Sequence, residues 1–280
     1  MRATHSMTLI LAGLALTACG GKAPAGGNAA SAESVANVAA TPANVTAATP
    51  APTPTPTAAA SETTLKTEDY SFTYSYPAAA AAIVPLRLWL DKDRDELRTT
   101  LAKDSADARE QSKSGDFSFN PYDSSTEWKV VTETPRLLSL SAEIYEFSGG
   151  AHGNPGFRSL VWDKTADRRL DPAELFTSKA AIQTAIGNAF CRRIDAERAK
   201  RRGEAVDRSS DDPFSQCPRV EEATLILGST NRQTVNRIGL LVGPYVAGPY
   251  AEGSYDVTLP VTPALLRAVK PEYRSAFAAR

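Results

Sequence analysis

Histidine is the side chain best suited to move a proton near neutral pH, and past position 5 this sequence has a single one, His152. It lies in the run Ser148-Gly-Gly-Ala-His-Gly-Asn-Pro-Gly156, whose glycines, asparagine and proline predict a tight, irregular loop. Two readings of it stand. As a general base, His152 works beside Ser148 or an acidic partner. As a structural group, its ring hydrogen-bonds backbone atoms and holds the turn. A hydrolytic zinc centre needs two or three histidines, so no metal is expected. Glycosidase-type chemistry needs only two carboxylates ~5–9.5 Å apart, and 32 acidic residues leave that route open. There is no Gly-rich phosphate loop or dinucleotide fingerprint, so no cofactor is expected.

Two further clusters carry chemical character. Arg192, Arg193, Arg198, Lys200, Arg201 and Arg202 crowd one short stretch with only Asp195 and Glu197 against them. They read either as a solvated helix face that suits the C-terminal end of the macrodipole or as a contact for anionic envelope polymer or lipid head groups. The segment 243–260 repeats Pro-Tyr, at Pro244-Tyr245 and Pro249-Tyr250. Tyrosines held by adjacent prolines are rigid contact groups with little entropy to lose on binding. They suit an interface; packing under the loop as core is the other reading.

These groups need elements to hold them. Tyr70, Phe72, Tyr74 and Tyr76 alternate, which marks a half-buried strand. Residues 127–134 and 136–150 read as a strand pair about Pro135, and 156–164 as the next strand. The runs ATLILGS, NRIGLLVG and GSYDVTLP supply three more. A polar helix is expected over 91–114, with Leu97, Leu101 and Ala108 on one side and Gly115 as its stop. A second covers 178–202, with Ser178 as cap, Ile182, Ile186, Phe190 and Ile194 as the apolar stripe, a Glu197–Arg201 pair and Gly203 at the end. A short helix at 262–270 follows. The expected class is α+β, with mainly antiparallel sheets and two principal helices, in a portion over 65–150 and another over 151–280.

The N-terminus reads as an address. Arg2 precedes a ten-residue apolar run, Met7–Leu16, too short to span a ~30 Å hydrocarbon core as a helix. Leu16-Thr17-Ala18-Cys19 resembles a bacterial lipobox. The expectation is a signal peptide over 1–18 and a lipid anchor on Cys19, stable once two or more acyl chains are attached. Gly20 and Gly21, with no aspartate there, match the pattern of lipoproteins sent to the outer membrane, on its periplasmic side. Ala, Pro and Thr dominate 23–60, where Glu33 is the only charge, so 19–64 is expected to be a disordered tether. With Cys19 lipidated, Cys191 and Cys217 remain in an exported chain. They either pair as a disulfide closing a loop of about 27 residues, worth roughly 3.5 kcal/mol on the chain-entropy account, or stay as two buried thiols. A net charge of −1 argues against a nucleic-acid partner.

Taken together, SGGAHGN, DPAELF at 171–176 and PYxxxPYAxGSYDVTLP resemble the RsiV-like extracytoplasmic family of anti-sigma-factor ectodomains. The same module precedes the catalytic domain of some peptidoglycan deacetylases. The resemblance spans roughly 65–265. It implies an α+β ectodomain in two parts and, in some members, recognition of lysozyme. Pro244, Tyr245, Pro249 and Tyr250 match the family loop at or near that contact. Val246-Ala247-Gly248 stand where relatives often carry a polar or acidic residue. Neither a sigma-binding segment nor a deacetylase domain is expected in this chain, so those two activities do not transfer. The reading is a lipid-anchored, non-catalytic envelope module whose partner is a lysozyme-like protein or peptidoglycan and whose binding residues are these four with His152. The alternatives are a peptidoglycan hydrolase and a structural lipoprotein without a ligand.

Overall fold

A computed structural model describes residues 58–115 and 117–280. The leader, Cys19 and most of the tether lie outside the described residues. The folded chain begins with β1 (Ser61–Lys66) and β2 (Tyr70–Tyr76). A single turn α1 (Ala78–Ala81) and the long α2 (Val84–Gly115) follow. Next come β3 (Tyr122–Glu133), β4 (Leu137–Phe147), β5 (Asn154–Asp163) and β6 (Arg168–Leu170). Helix α3 (Lys179–Arg202) leads to β7 (Thr224–Gly228), β8 (Arg237–Val242), β9 (Tyr255–Pro260) and α4 (Pro263–Ala268).

Strands β1 to β6 form one sheet in sequence order, and β7 to β9 form a second. All pairings are antiparallel except β2 with β3. That parallel pair follows from α2. A return through a long helix brings the chain back to the same end of the sheet, as parallel neighbours require. The architecture is therefore α+β and mainly antiparallel, with two principal helices, as the sequence implies.

The first half of β4 is buried on both faces, its side chains alternating between them. Leu138, Leu140 and Ala142 join Phe72, Tyr74, Tyr76, Trp128, Leu160 and Trp162 beneath Leu86 and Leu90 of α2. Leu137, with Val161 and Leu170, faces the other way and joins the stripe of α3, the inner residues of β7 to β9, and α4. On that side Ser139 Oγ accepts the Leu227 N–H at 3.3 Å. One strand thus belongs to two cores, because side chains alternate between faces.

Four expectations need correction. Helix α2 starts at Val84 rather than 91, because Leu86 and Leu90 bury fully and Pro85 sits in the first turn, where a missing N–H costs nothing. Strand β1 begins at Ser61, inside the stretch assigned to the tether up to 64, and pairs with all of β2 through Tyr76. The boundary at 150 falls in the β4–β5 connection, and β5 and β6 complete the larger sheet, so the change of sheet comes after Leu170. Glu197 and Arg201 do not pair; Arg201 turns to the β8–β9 loop instead. Ser178 does cap α3 at the Ala181 N–H, and Gly203 ends the helix at φ 77°.

Candidate binding site

The His152 loop joins β4 to β5 in the larger sheet, and the Pro-Tyr loop joins β8 to β9 in the smaller one. The fold brings the two loops together. The His152 and Tyr250 rings stack with centroids 3.8 Å apart and planes 22° apart. Tyr245 Oη lies 3.2 Å from His152 Nε2, and its ring tilts against Tyr250 at 5.7 Å. Tyr250 Oη donates to the Gly153 carbonyl at 2.9 Å, and His152 Nδ1 lies 3.0 Å from the same oxygen. With its proton on Nδ1, the ring donates to that carbonyl and accepts from Tyr245. Among the described residues, no carboxylate or serine hydroxyl bonds the ring, and Ser148 makes no such contact. Both nitrogens therefore have backbone or phenol partners, the arrangement of a ring that holds a turn.

The three rings form a platform that faces water. Tyr245 is 52% exposed, one of few large apolar groups so placed. Its backbone has φ 67°, a left-handed conformation costly for a residue with a Cβ. The Tyr245 N–H donates to the Gly248 carbonyl at 3.0 Å, which fixes the bend. Pro249 caps the short turn Tyr250–Glu252 that sets the second ring. Pro244 is half-buried and Pro249 exposed, so the prolines shape the loop rather than extend the platform. A Cβ on Gly153 would collide with the end of the Tyr145 ring, so any larger residue there would have to displace that ring.

What fixes the loop lies in the basic cluster, and here the sequence reading needs revision. Arg198 is fully buried. Its Nε donates to the Ala247 carbonyl at 2.6 Å and one Nη to the Gln216 carbonyl at 2.8 Å. Arg202 clasps the Glu252 carboxylate at 2.7 and 3.1 Å, and Tyr255 Oη donates to the same carboxylate. Arg201 donates to the carbonyls of Glu252 and Ser254 and lies 3.7 Å over the Tyr255 ring. Three of the six cations thus clamp the Pro-Tyr loop from α3, while Arg192, Arg193 and Lys200 stay exposed. Gly248 is required by this clamp, since a Cβ there would strike Glu252 Oε2. Burial works against the Glu252 charge, but Arg202 and the Tyr255 hydroxyl outweigh it and hold its carboxyl below the ordinary 4.5. Burial pushes the Arg198 guanidinium down, with Asp195 opposing.

Cys191 and Cys217 are joined, with their Cα atoms 5.3 Å apart. The bridge ties α3 to the segment whose Gln216 carbonyl receives Arg198. Asp195, which pairs with Arg208 and Arg198, lies beside it. Those two sulfurs with Asp195 are the group of potential metal ligands found among the described residues, and the disulfide consumes both thiols. Among the described residues no helix is long and apolar enough to cross a membrane.

The family described as Deacetylase PdaC matches residues 63–155, from β1 to the start of β5. That span includes His152 and ends before the Pro-Tyr loop. Among solved structures, the chain is similar to a DUF3298 family protein from Pseudomonas aeruginosa PAO1. The TM-score is 0.50 at 18% identity, over 79% of this chain and 95% of that one. A DUF3298 family member from Bacteroides fragilis aligns at TM-score 0.40 and 15% identity, over 72% and 90%. No curated protein matches.

Proposed function

We propose that this chain is a non-catalytic recognition module of the bacterial cell envelope, held there by lipid on Cys19. Its contact surface is the platform of Tyr245, His152 and Tyr250, and its partner is a lysozyme-like protein or peptidoglycan. One observation carries the reading: the exposed Tyr245 and His152 rings and the half-buried Tyr250 are held on or against a strained loop that three arginines clamp, the fully buried Arg198 among them. A scaffold that spends three arginines on immobilising these tyrosines has prepaid the ordering cost of binding. Tyr245 and Tyr250 belong to the loop that, on the RsiV-like resemblance, lies at or near a protein contact, and His152 reaches them from the β4–β5 loop. A disulfide and a lipobox both fit an oxidising, extracytoplasmic location.

The test uses the full-length chain in detergent, mixed separately with purified sacculi and with lysozyme, and then sedimented or captured. Retention by one of them, lost in Tyr245→Ala, is the expected result. Tyr245 is exposed, so its removal leaves the cores intact. Retention by neither, or retention indifferent to Tyr245 and Tyr250, overturns the proposal.

A further inference from the structure

A cleft of about 390 Å³, sharing no lining residue with that platform, lies where β5 meets the start of α3 and β7. Trp89, Trp128 and Phe157 line it, with the cations Arg158, Arg169 and Lys179 and the acids Asp171 and Glu221 around them. Beneath it runs a polar network that nothing described so far uses. Asp93 receives Arg158 through two bonds of 2.8 and 2.7 Å. Tyr74 Oη donates to Asp93 at 2.8 Å, and Trp128 Nε1 donates to Tyr74 Oη at 3.0 Å. Burial, then the Asp93 charge, drives the Tyr74 hydroxyl far above its usual value, so it stays a donor. Arg158 is thereby neutralised and fixed 5.3 Å over Trp128.

The other two cations have no such partner. Arg169 stacks 4.6 Å over Trp89. Neither Arg169 nor Lys179 forms an ion pair among the described residues. A guanidinium spread on an indole face keeps its N–H edge free in a fixed orientation, which matches a planar carboxylate. The Ser159 and Thr224 hydroxyls, Asp171 and Glu221 add acceptors beside these donors. Mixed donors and acceptors around aromatic rings suit a polyhydroxylated ring, whose C–H face lies on the indole and whose hydroxyls alternate roles. Glu221 is paired with Arg219 and Asp171 caps the turn at Pro172–Leu175, so the two unpaired cations leave the lining with a net demand for negative charge.

We propose that this cleft binds an acidic sugar, with its carboxylate between Arg169 and Lys179 and its ring against Trp89 and Phe157. The site shares no lining residue with the tyrosine platform, and sacculus retention through it is lost in the Arg169→Gln Lys179→Gln double variant rather than in Tyr245→Ala, so the two readings are told apart. The full-length chain is titrated with N-acetylmuramic acid, following tryptophan fluorescence, with N-acetylglucosamine and inorganic phosphate as parallel probes. A saturable change with the acidic sugar is expected, at least about tenfold weaker for the neutral sugar and in each of Arg169→Gln and Lys179→Gln, since each removes a charge-assisted bond. Both residues are exposed, and unchanged thermal melting shows that the variants fold. Tyr245→Ala leaves this titration unaltered. Absence of a saturable change, a response equal in the double variant, or phosphate alone binding as well as the sugar overturns the proposal.

Discussion

Arg198 is the residue on which the platform depends most. Arg198→Ala removes the donors that meet the Ala247 and Gln216 carbonyls. The Ala247 carbonyl is left with a contact to Arg202 at 3.4 Å, too long to replace a bond of 2.6 Å. An orphaned buried acceptor costs about 1–3 kcal/mol. Losing two buried methylenes from the arginine stem adds roughly 1.6 kcal/mol. Against this, a desolvated guanidinium disappears, one of whose Nη atoms has no partner. The net loss should be about 2–4 kcal/mol. Arg198→Met keeps the stem volume and removes the buried charge, so it should cost only about 1 kcal/mol. Urea unfolding followed by tryptophan fluorescence measures both. Hydrogen exchange reads the loop itself: the Tyr245 amide, bonded to the Gly248 carbonyl, should lose protection in Arg198→Ala beyond what the global loss explains. A loss under about 1 kcal/mol with unchanged exchange over 244–253 would refute the clamp.

Three other outcomes follow from the same geometry. Glu252 and Asp163 both have folded values below their ordinary 4.5 and 3.8. The stability they contribute is complete above those ordinary values and drains away as pH falls through the lowered ones. Glu252→Gln should flatten this acid limb of a stability profile, and an unchanged profile would remove Glu252 from the account. Cys191→Ser with Cys217→Ser should cost roughly 3.5 kcal/mol by loop entropy, read as a lower urea midpoint that reductant no longer shifts; a midpoint equal to that of the oxidised protein would speak against the bridge. His152→Ala should cost about 0.5–1.5 kcal/mol, since it removes the stack on Tyr250 and the bonds that hold the turn. It should leave any release of fluorescent peptidoglycan unaltered; abolished release would make the ring a catalytic group.

The legible parts of the fold were those with one dominant period. Phe72, Tyr74 and Tyr76 alternate and are buried, and Ile182, Ile186, Phe190 and Ile194 recur by helical turns and face the core. The parallel pairing of β2 with β3 was not legible, because pairing joins segments separated by all of α2 and no local pattern encodes the partner. Strand β1 escaped notice because an edge strand of Ser, Glu and Thr buries little. At the site, His152 and the two Pro-Tyr pairs could be singled out by composition alone. Their stacking could not, since it arises where two sheets bring separate loops together. The arginines show the limit most clearly. A run of cations looks like a wet surface, and only the carbonyls facing Arg198 reveal that it points inward. The cleft cations were overlooked for the same reason: Arg169 and Lys179 stand on different elements and share no motif.

The isolated bridge between Val235 and Phe277 closes the core of the smaller sheet. Val235 pairs with Phe277, receiving the Ala278 N–H and donating to the Ala276 carbonyl. Phe277 meets Phe176 edge to face at 5.7 Å, and Tyr273 stacks beneath Arg136, which holds the buried Asp163. Without residue 277, Phe176 and Val235 have no lid and the smaller sheet lacks a wall. Losing the Phe277 ring would therefore unseat Phe176 and Val235 together, although they belong to segments far apart in the chain.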